Sequence, residues 1–469
     1  MFGVKRDCFV VSLLAMTLAG GCALGPKYVK PTTQIPAAYK ETGDWKKAQP
    51  QDSVIRGEWW KIFNDPKLDA LEDEVNISNQ NIAAAQAQYA QARALVQEAR
   101  AGFFPTLGAA GSYTRQKNSS SAAKSKNVTS DYLLNGDVSW EIDLWGKIRR
   151  TLEASRASAQ ASAADLEGVR LSAQAQLAQD YFQLCSLDAQ KKLLDDTDVI
   201  YQKFLGLTRN RYAGGVAAQS DVLQARTQLE IIEAQSIDIG VARSQLEHAI
   251  AVLIGKSASA FSLPALPLTG TVPSVPAGLP SEMLERRPDI AATERAVAAA
   301  NAQIGVAESA YFPTLTLGAS GSYASSDLSR IFSSPNPLWS LGPVLAGTIF
   351  DGGLRRAQTA QAKALYDANV ANYRQTVLAA MGQVEDNLAA LRILKQEAQL
   401  QDEALKDAQK TVILETNQYK AGTVSALDVI NTQATALANE KTAVSILGAR
   451  LNACVLLIEY LGGGWSSTK

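Results

Sequence analysis

Histidine is almost missing from this chain, with His248 alone among 469 residues, and cysteine occurs only at positions 8, 22, 185 and 454. The usual zinc spacings and histidine-based catalytic arrangements therefore lack their raw material, and no enzyme is expected. Charge of one sign is lacking too: 45 Lys+Arg stand against 46 Asp+Glu, so the electrostatic footprint of a nucleic-acid binder is absent. Proline disappears over two long stretches, between Pro105 and Pro264 and again after Pro343. Because proline costs about 3 kcal/mol inside a helix, both deserts can hold very long helices. What remains is ordinary for a folded protein: 46% hydrophobic and 19% charged residues allow a large core and exclude wholesale disorder.

The N-terminus reads as an address. Lys5 and Arg6 precede an apolar run from Phe9 to Ala19, too short and too early for a spanning helix, which predicts a secretory signal over residues 1–21. Gly20 and Gly21, directly before Cys22, resemble a lipobox, although Ala19 stands where Leu is usual. Cys22 is thus the expected lipid anchor and first mature residue, and Ala23 after it resembles sorting to the outer membrane.

Beyond that address the chain repeats itself. Phe103-Phe104-Pro105-Thr106-Leu107 recurs as Tyr311-Phe312-Pro313-Thr314-Leu315, offset by 208 residues. The segment Leu144 to Arg150 recurs as Phe350 to Arg356, and Tyr212, Gly215 and Asp221 recur as Tyr419, Gly422 and Asp428, offset by 207. Three matches in one order at nearly constant spacing indicate a tandem duplication. The expected organisation is an extended segment over 22–75, a first repeat over 76–263, a Pro-rich linker over 264–288, a second repeat over 289–462 and a tail over 463–469. Each repeat reads helix, strand, strand, long helix, return helix.

The strands, at about 107–116, 132–144, 314–324 and 338–350, are inferred from alternation. Leu134, Gly136, Val138, Trp140, Ile142 and Leu144 line one face, and Asn135, Asp137, Ser139, Glu141 and Asp143 the other. About ten residues suffices to cross a bilayer at a tilt, so these four strands are expected to form membrane wall, with Asp137, Glu141 and Asp143 toward an aqueous lumen. An open sheet edge in lipid leaves backbone groups unpaired, and bacterial barrels start at 8 strands. Four strands cannot close, so copies must associate; two, three or four would give roughly 8, 12 or 16 strands.

Trp145 to Tyr212 is long enough for a helix of about 100 Å, more than twice a whole bilayer. Alanines crowd this stretch and its counterpart after Leu354, permitting close helix packing. Glycines 214, 215 and 422 then supply reversals into return helices over about 217–254 and 425–461. His248 lies on the first of these as a packing or interfacial residue. Cys185 and Cys454, on different helices at comparable distances from the tips, are expected as free buried thiols, with a disulfide in an oxidising compartment as the alternative. Arg149-Arg150 and Arg355-Arg356 follow strands at the expected membrane boundary, where they either reach lipid phosphates or are solvated helix starts.

Cys22, the run Gly25 to Pro31, Trp59-Trp60, two Phe-Pro-Thr-Leu motifs, Arg286-Arg287-Pro288-Asp289-Ile290 and the Tyr-x-x-Gly tips together resemble the outer membrane factor (TolC-like) family, in its lipoprotein branch. The resemblance implies a mixed fold, a membrane β-barrel continued by a long α-helical barrel, as a homotrimer with 12 strands. It also implies a periplasmic membrane-fusion adaptor and an inner-membrane transporter of the resistance-nodulation-division type as partners, with no cofactor. Carried over by position, Tyr419 takes the place of a gate tyrosine with Asp221 as its acidic partner, and Asp428 that of a gate aspartate. Asn431 and Val424 stand where the family has a second aspartate and an arginine, which thins the charge lock. Both aspartates also fit early-turn helix residues favoured by the macrodipole. Gly214, Gly215 and Gly422 match the tips where adaptor hairpins dock. The expected function is the exit duct of a small-molecule efflux pump; a duct for type I protein secretion is the alternative, and a pore-free periplasmic coiled-coil scaffold a third reading.

Overall fold

A computed structural model describes residues 23–33, 36, 38–41, 57–118, 127–266, 268, 272–275, 286–333 and 338–463. The expected signal over 1–21, the Cys22 anchor, most of the 264–288 linker and the tail after 463 lie outside the described residues. The elements run α1 (Pro66–Ser78), α2 (Gln80–Ala101), β1 (Thr106–Asn118), β2 (Asn127–Ile142), α3 (Lys147–Ala213), α4 (Gln219–Leu253), α5 (Pro288–Ser309), β3 (Thr314–Ser325), β4 (Leu338–Ala346), α6 (Leu354–Ala421) and α7 (Ala426–Tyr460). The proline-free stretches hold α3 and α6, of 67 and 68 residues.

Two compact units form, and they do not follow the sequence halves. One gathers residues 1–32, 88–163 and 292–374; the other gathers 33–87, 164–291 and 375–469. Each unit takes segments from both halves because the long helices α3 and α6 contribute their first parts to one and their remainders to the other.

The first unit contains one antiparallel sheet in the order β1-β2-β3-β4. Its register pairs Ala109 with Gly136, Val138 with Ala319, and Ala319 with Leu341, so residues of like character share a face across all four strands. β2 begins at Asn127, five residues before the expected start, because the ladder with β1 continues to Asn118. It stops at Ile142, and β4 stops at Ala346 rather than near 350. Where β2 ends, the first amides of α3 need acceptors, and Asp143 leaves the strand to take Ile148 N and Arg149 N, both at 3.0 Å. Asp143 therefore caps a helix and does not belong to the polar face of the sheet. Asp351 does the same work before α6, accepting from Gly353 N at 3.0 Å and Arg355 N at 3.2 Å.

The second unit is helical. Asp65 caps α1 through Lys67 N at 2.9 Å and accepts the Tyr181 hydroxyl at 2.6 Å on α3. Trp59 and Trp60 are buried edge to face, and Trp59 Nε1 donates to Gln174. Arg287, from the Arg-Arg-Pro-Asp motif, donates to the Tyr460 carbonyl at 2.9 Å and to Gln383 at 3.0 Å, tying the start of α5 to the end of α7. Cys185 and Cys454 are both buried free thiols, each pushed up to about 12 by burial.

Candidate functional site

The sheet sorts its side chains into two faces. Leu107, Tyr113, Leu134, Trp140, Leu317, Tyr323, Trp339, Leu341 and Leu345 fall on one, and Ser112, Asn135, Asp137, Ser139, Glu141, Thr316, Ser320 and Ser340 on the other. The polar face is interrupted by Leu133, Leu338 and Val344. The apolar face stays uncovered within the chain: Leu107, Trp339 and Leu341 are 82%, 78% and 77% exposed. An uncovered apolar face of this size marks a surface built for an apolar partner. Among the described residues, β1 and β4 are each hydrogen-bonded to one neighbouring strand, so both lateral edges of the sheet present unpaired amides and carbonyls. Asp137 and Glu141 stand on the polar face as expected, whereas Asp143 does not.

Tryptophans lock the Phe-Pro-Thr-Leu motifs at the helix-to-strand junctions. Trp140 Nε1 donates to the Phe103 carbonyl at 3.0 Å; Trp145 Nε1 donates to the Pro313 carbonyl at 2.7 Å and its ring stacks on Phe312 at 4.7 Å.

One feature of this unit escaped the sequence reading. Arg150 is buried, donating to the carbonyls of Leu24 at 2.9 Å, Gly25 at 3.2 Å and Pro26 at 3.4 Å, with Glu153 as its ion partner. Asn301 donates to Pro26 O at 3.0 Å, and the Tyr28 hydroxyl donates to Glu294. Burial and that carboxylate together push the Tyr28 phenol well above its ordinary value. Gly25, at φ +93°, comes so close to Gly305 that a Cβ would sit 2.5 Å from the Gly305 Cα. The residues after position 22 are thus strapped to the base of the sheet unit. Arg150 serves this strap, not solvent or lipid, while Arg149 pairs with Asp143 at 3.0 Å.

The tips lie in the second unit. α3 ends where Gly215 adopts φ +73° and donates to Tyr212 O, with Val216 N returning to Arg211 O. α6 ends alike: Gly422 has φ +82°, donates to Tyr419 O, and Thr423 N returns to Gln418 O. This paired pattern needs a left-handed residue at the turn, which glycine supplies without a Cβ penalty. Gly214 is exposed beside Gly215 and has an ordinary backbone angle.

Tyr419 is 3% exposed, in a cluster with Phe204, Leu205, Ala225, Ala426, Val429 and Ile430. The Arg211 guanidinium lies over its ring, 4.4 Å from the centroid, and donates to its carbonyl. The Tyr419 hydroxyl is 3.4 Å from Thr208 Oγ1, and among the described residues no hydrogen bond joins it to Asp221. Asp221 instead accepts from Ala218 N at 3.1 Å at the start of α4. Asp428 accepts from Ser425 N at 2.9 Å and Ser425 Oγ at 2.6 Å, while Ser425 Oγ takes Asp428 N. The Ser425 hydroxyl, and then its amide, hold the Asp428 carboxyl below the usual carboxylate range. The structure therefore brings Tyr419 together with Arg211, and leaves each aspartate capping its own helix. Arg211 could have been singled out from sequence as the charged residue whose repeat counterpart is Gln418. His248 is exposed on α4, and among the described residues no group of three or more His, Cys, Asp or Glu could hold a metal ion.

The sequence profile of the family described as outer membrane efflux protein matches residues 71–256 and 279–463. The chain is 31% identical over 460 residues to the probable efflux pump outer membrane protein TtgC of Pseudomonas putida, covering 96% of this chain and 95% of that one. It is 32% identical to the pyoverdine export outer membrane protein OpmQ of Pseudomonas aeruginosa, covering 97% and 96%. Among solved structures, the outer-membrane channel OprN superposes with a TM-score of 0.88 at 29% identity, covering 95% of this chain and 100% of that chain.

Proposed function

Since the chain belongs to the outer membrane efflux protein family, whose members are outer-membrane channels and not enzymes, we propose that it is the exit duct of a tripartite pump. The cargo is drugs or other small molecules, handed over by an inner-membrane transporter through a periplasmic adaptor. The observation that carries this reading is the four-stranded sheet with one continuous uncovered apolar face and two unpaired edges. A sheet of this kind is stable in lipid only when copies join edge to edge and close. Three copies of four strands give a barrel of about 12, within the range of bacterial outer-membrane barrels.

The chain consists of two tandem repeats, each giving two strands to the wall and one helical hairpin to a helical tube. The apolar face meets lipid, and Asp137 and Glu141 line the lumen, where they favour cations. Cys22 carries the lipid anchor. Gly214, Gly215 and Gly422 present the hairpin tips to the adaptor. The gate comprises Tyr419, Asp428 and Asp221. Tyr419 holds the second hairpin closed through its burial, and the two aspartates fix where the return helices begin. The duct itself does no chemical work; the energy comes from the transporter, and the chain supplies a seal that opens when the tips are engaged.

Reconstitution tests the reading. Detergent-purified protein should run as a trimer in native mass spectrometry and conduct ions in planar bilayers. Deletion of its gene should raise intracellular drug accumulation, restored fully by the wild-type chain and less well by Cys22→Ala. A monomer that gives no conductance would overturn the proposal.

A further inference from the structure

Between α3, α5 and the N-terminal strap, the sheet unit has an open recess of about 460 Å³ whose lining includes Tyr28, Arg149, Glu153, Arg156, Gln160 and Arg295. Arg149, Glu153, Arg156 and Gln160 stand at intervals of four, three and four, so they share one face of α3. Arg295 reaches across from α5 and donates to Gln160 at 3.3 Å. Leu152 and Ala157, both buried, give the recess an apolar floor.

The charges there nearly cancel, and the remainder is specific. Asp143 is engaged by Arg149 at 3.0 Å, Glu153 by Arg150 at 2.8 Å, and Glu294 by Arg295 at 2.7 Å. Arg156, exposed, has no ion pair or hydrogen bond among the described residues. One guanidinium is left over, in a cleft where a second, Arg295, faces it. A guanidinium fork matches the paired oxygens of a phosphate, and a single uncompensated positive charge matches a monoanionic diester better than a free phosphate dianion.

The position of the recess points to the source of that diester. Arg149 lies in the first turn of α3, just beyond Ile142, where the sheet and its apolar face end. The Arg156 backbone is two turns further along, about 10 Å; helical side chains lean toward the helix N-terminus, so its long stem carries the guanidinium back toward a headgroup band about 5 to 7 Å deep on each side of the hydrocarbon. Tyr28 is six residues from Cys22, a span of at most about 21 Å. The recess therefore opens at the depth where phospholipid headgroups of the periplasmic leaflet lie, beside the anchored terminus. We propose that it is a binding site for the phosphodiester of a glycerophospholipid, with Arg156 as the charge partner and Arg149 and Arg295 as flanking donors. The proposal rests on reading the sheet as membrane wall and Cys22 as the anchor.

Native mass spectrometry of the detergent-purified protein, with phosphatidylglycerol titrated in and inorganic phosphate as competitor, tests it. Wild type should retain the lipid, and Arg156→Gln should retain it about tenfold less well, the loss of one charge-assisted contact. Inorganic phosphate at tens of millimolar should not displace it. Equal retention by both proteins overturns the proposal, and displacement by inorganic phosphate overturns its lipid source. Bilayer conductance on the same preparations separates the two readings. Conducting protein without the lipid difference removes the headgroup site alone, whereas protein that neither conducts nor assembles removes the membrane reading and this site with it.

Discussion

The turn after α3 and the turn after α6 use the same backbone path, with glycine left-handed at the same place and the same pair of amide-to-carbonyl bonds closing the helix. What surrounds the two turns differs. Tyr212 is 47% exposed, whereas Tyr419 is buried under Phe204 and the Arg211 guanidinium. Ala218 has no side-chain oxygen, so Asp221 makes half of a capping box; Ser425 and Asp428 make the whole of one. The turn is thus a shared frame, and the side chains leave the first tip open while fastening the second to it. A partner docking at the tips as proposed would meet one exposed tyrosine and one already committed.

Removing the buried ring should widen that contrast most. Tyr419→Ala is expected to destabilise the second tip by about 3 to 5 kcal/mol, while Tyr212→Ala should stay within about 0.5 kcal/mol. Hydrogen exchange of the tip amides would read both, and equal effects would erase the distinction. Next is Arg211→Gln, which copies the residue found at Gln418 and should cost about 1 to 2 kcal/mol through the lost stacking and carbonyl bond. A double-mutant cycle with Tyr419→Leu should show coupling between the two positions. Ser425→Ala should cost about 1 kcal/mol, and Ala218→Ser should return a similar amount to the first tip, so the paired exchange reverses the order of amide protection at the starts of α4 and α7.

The smallest effect concerns acidity. Because the folded-state pKa of Asp428 is depressed, its contribution is complete above the ordinary carboxylate value, near 4, and is lost as pH falls through the depressed one. Protection of the Ser425 amide should decline over that acid window and become insensitive to pH in Asp428→Asn; an unchanged acid profile in the variant would place the dependence elsewhere.

Much of this was legible along the chain, because it depends on local signals. Proline-free runs hold α3 and α6, the recurring Tyr-x-x-Gly marks both turns, and the alternation from Leu134 to Ile142 is visible residue by residue. Asp143 was misread because a carboxylate one step past a period-two pattern looks like its next member, while its acceptors are needed by the helix that follows. Arg150 was illegible for a different reason: its partners are backbone carbonyls at Leu24, Gly25 and Pro26, which carry no side-chain signature and lie more than a hundred residues away. Tyr212 and Tyr419 are equivalent in sequence, and it is the apolar cluster around Phe204, together with the reach of Arg211, that makes one of them a buried residue. The contact between Gly25 and Gly305 belongs to the same class, since close approach is visible only once both backbones are placed.

The bare margins of β1 and β4 have a consequence before any assembly exists. A newly exported copy offers two extended templates, thirteen residues along one and nine along the other, to whatever unpaired backbone it meets. If copies cover those margins as proposed, each one before that is as liable to misjoin as an aggregation-prone segment, so overproduction should yield insoluble material.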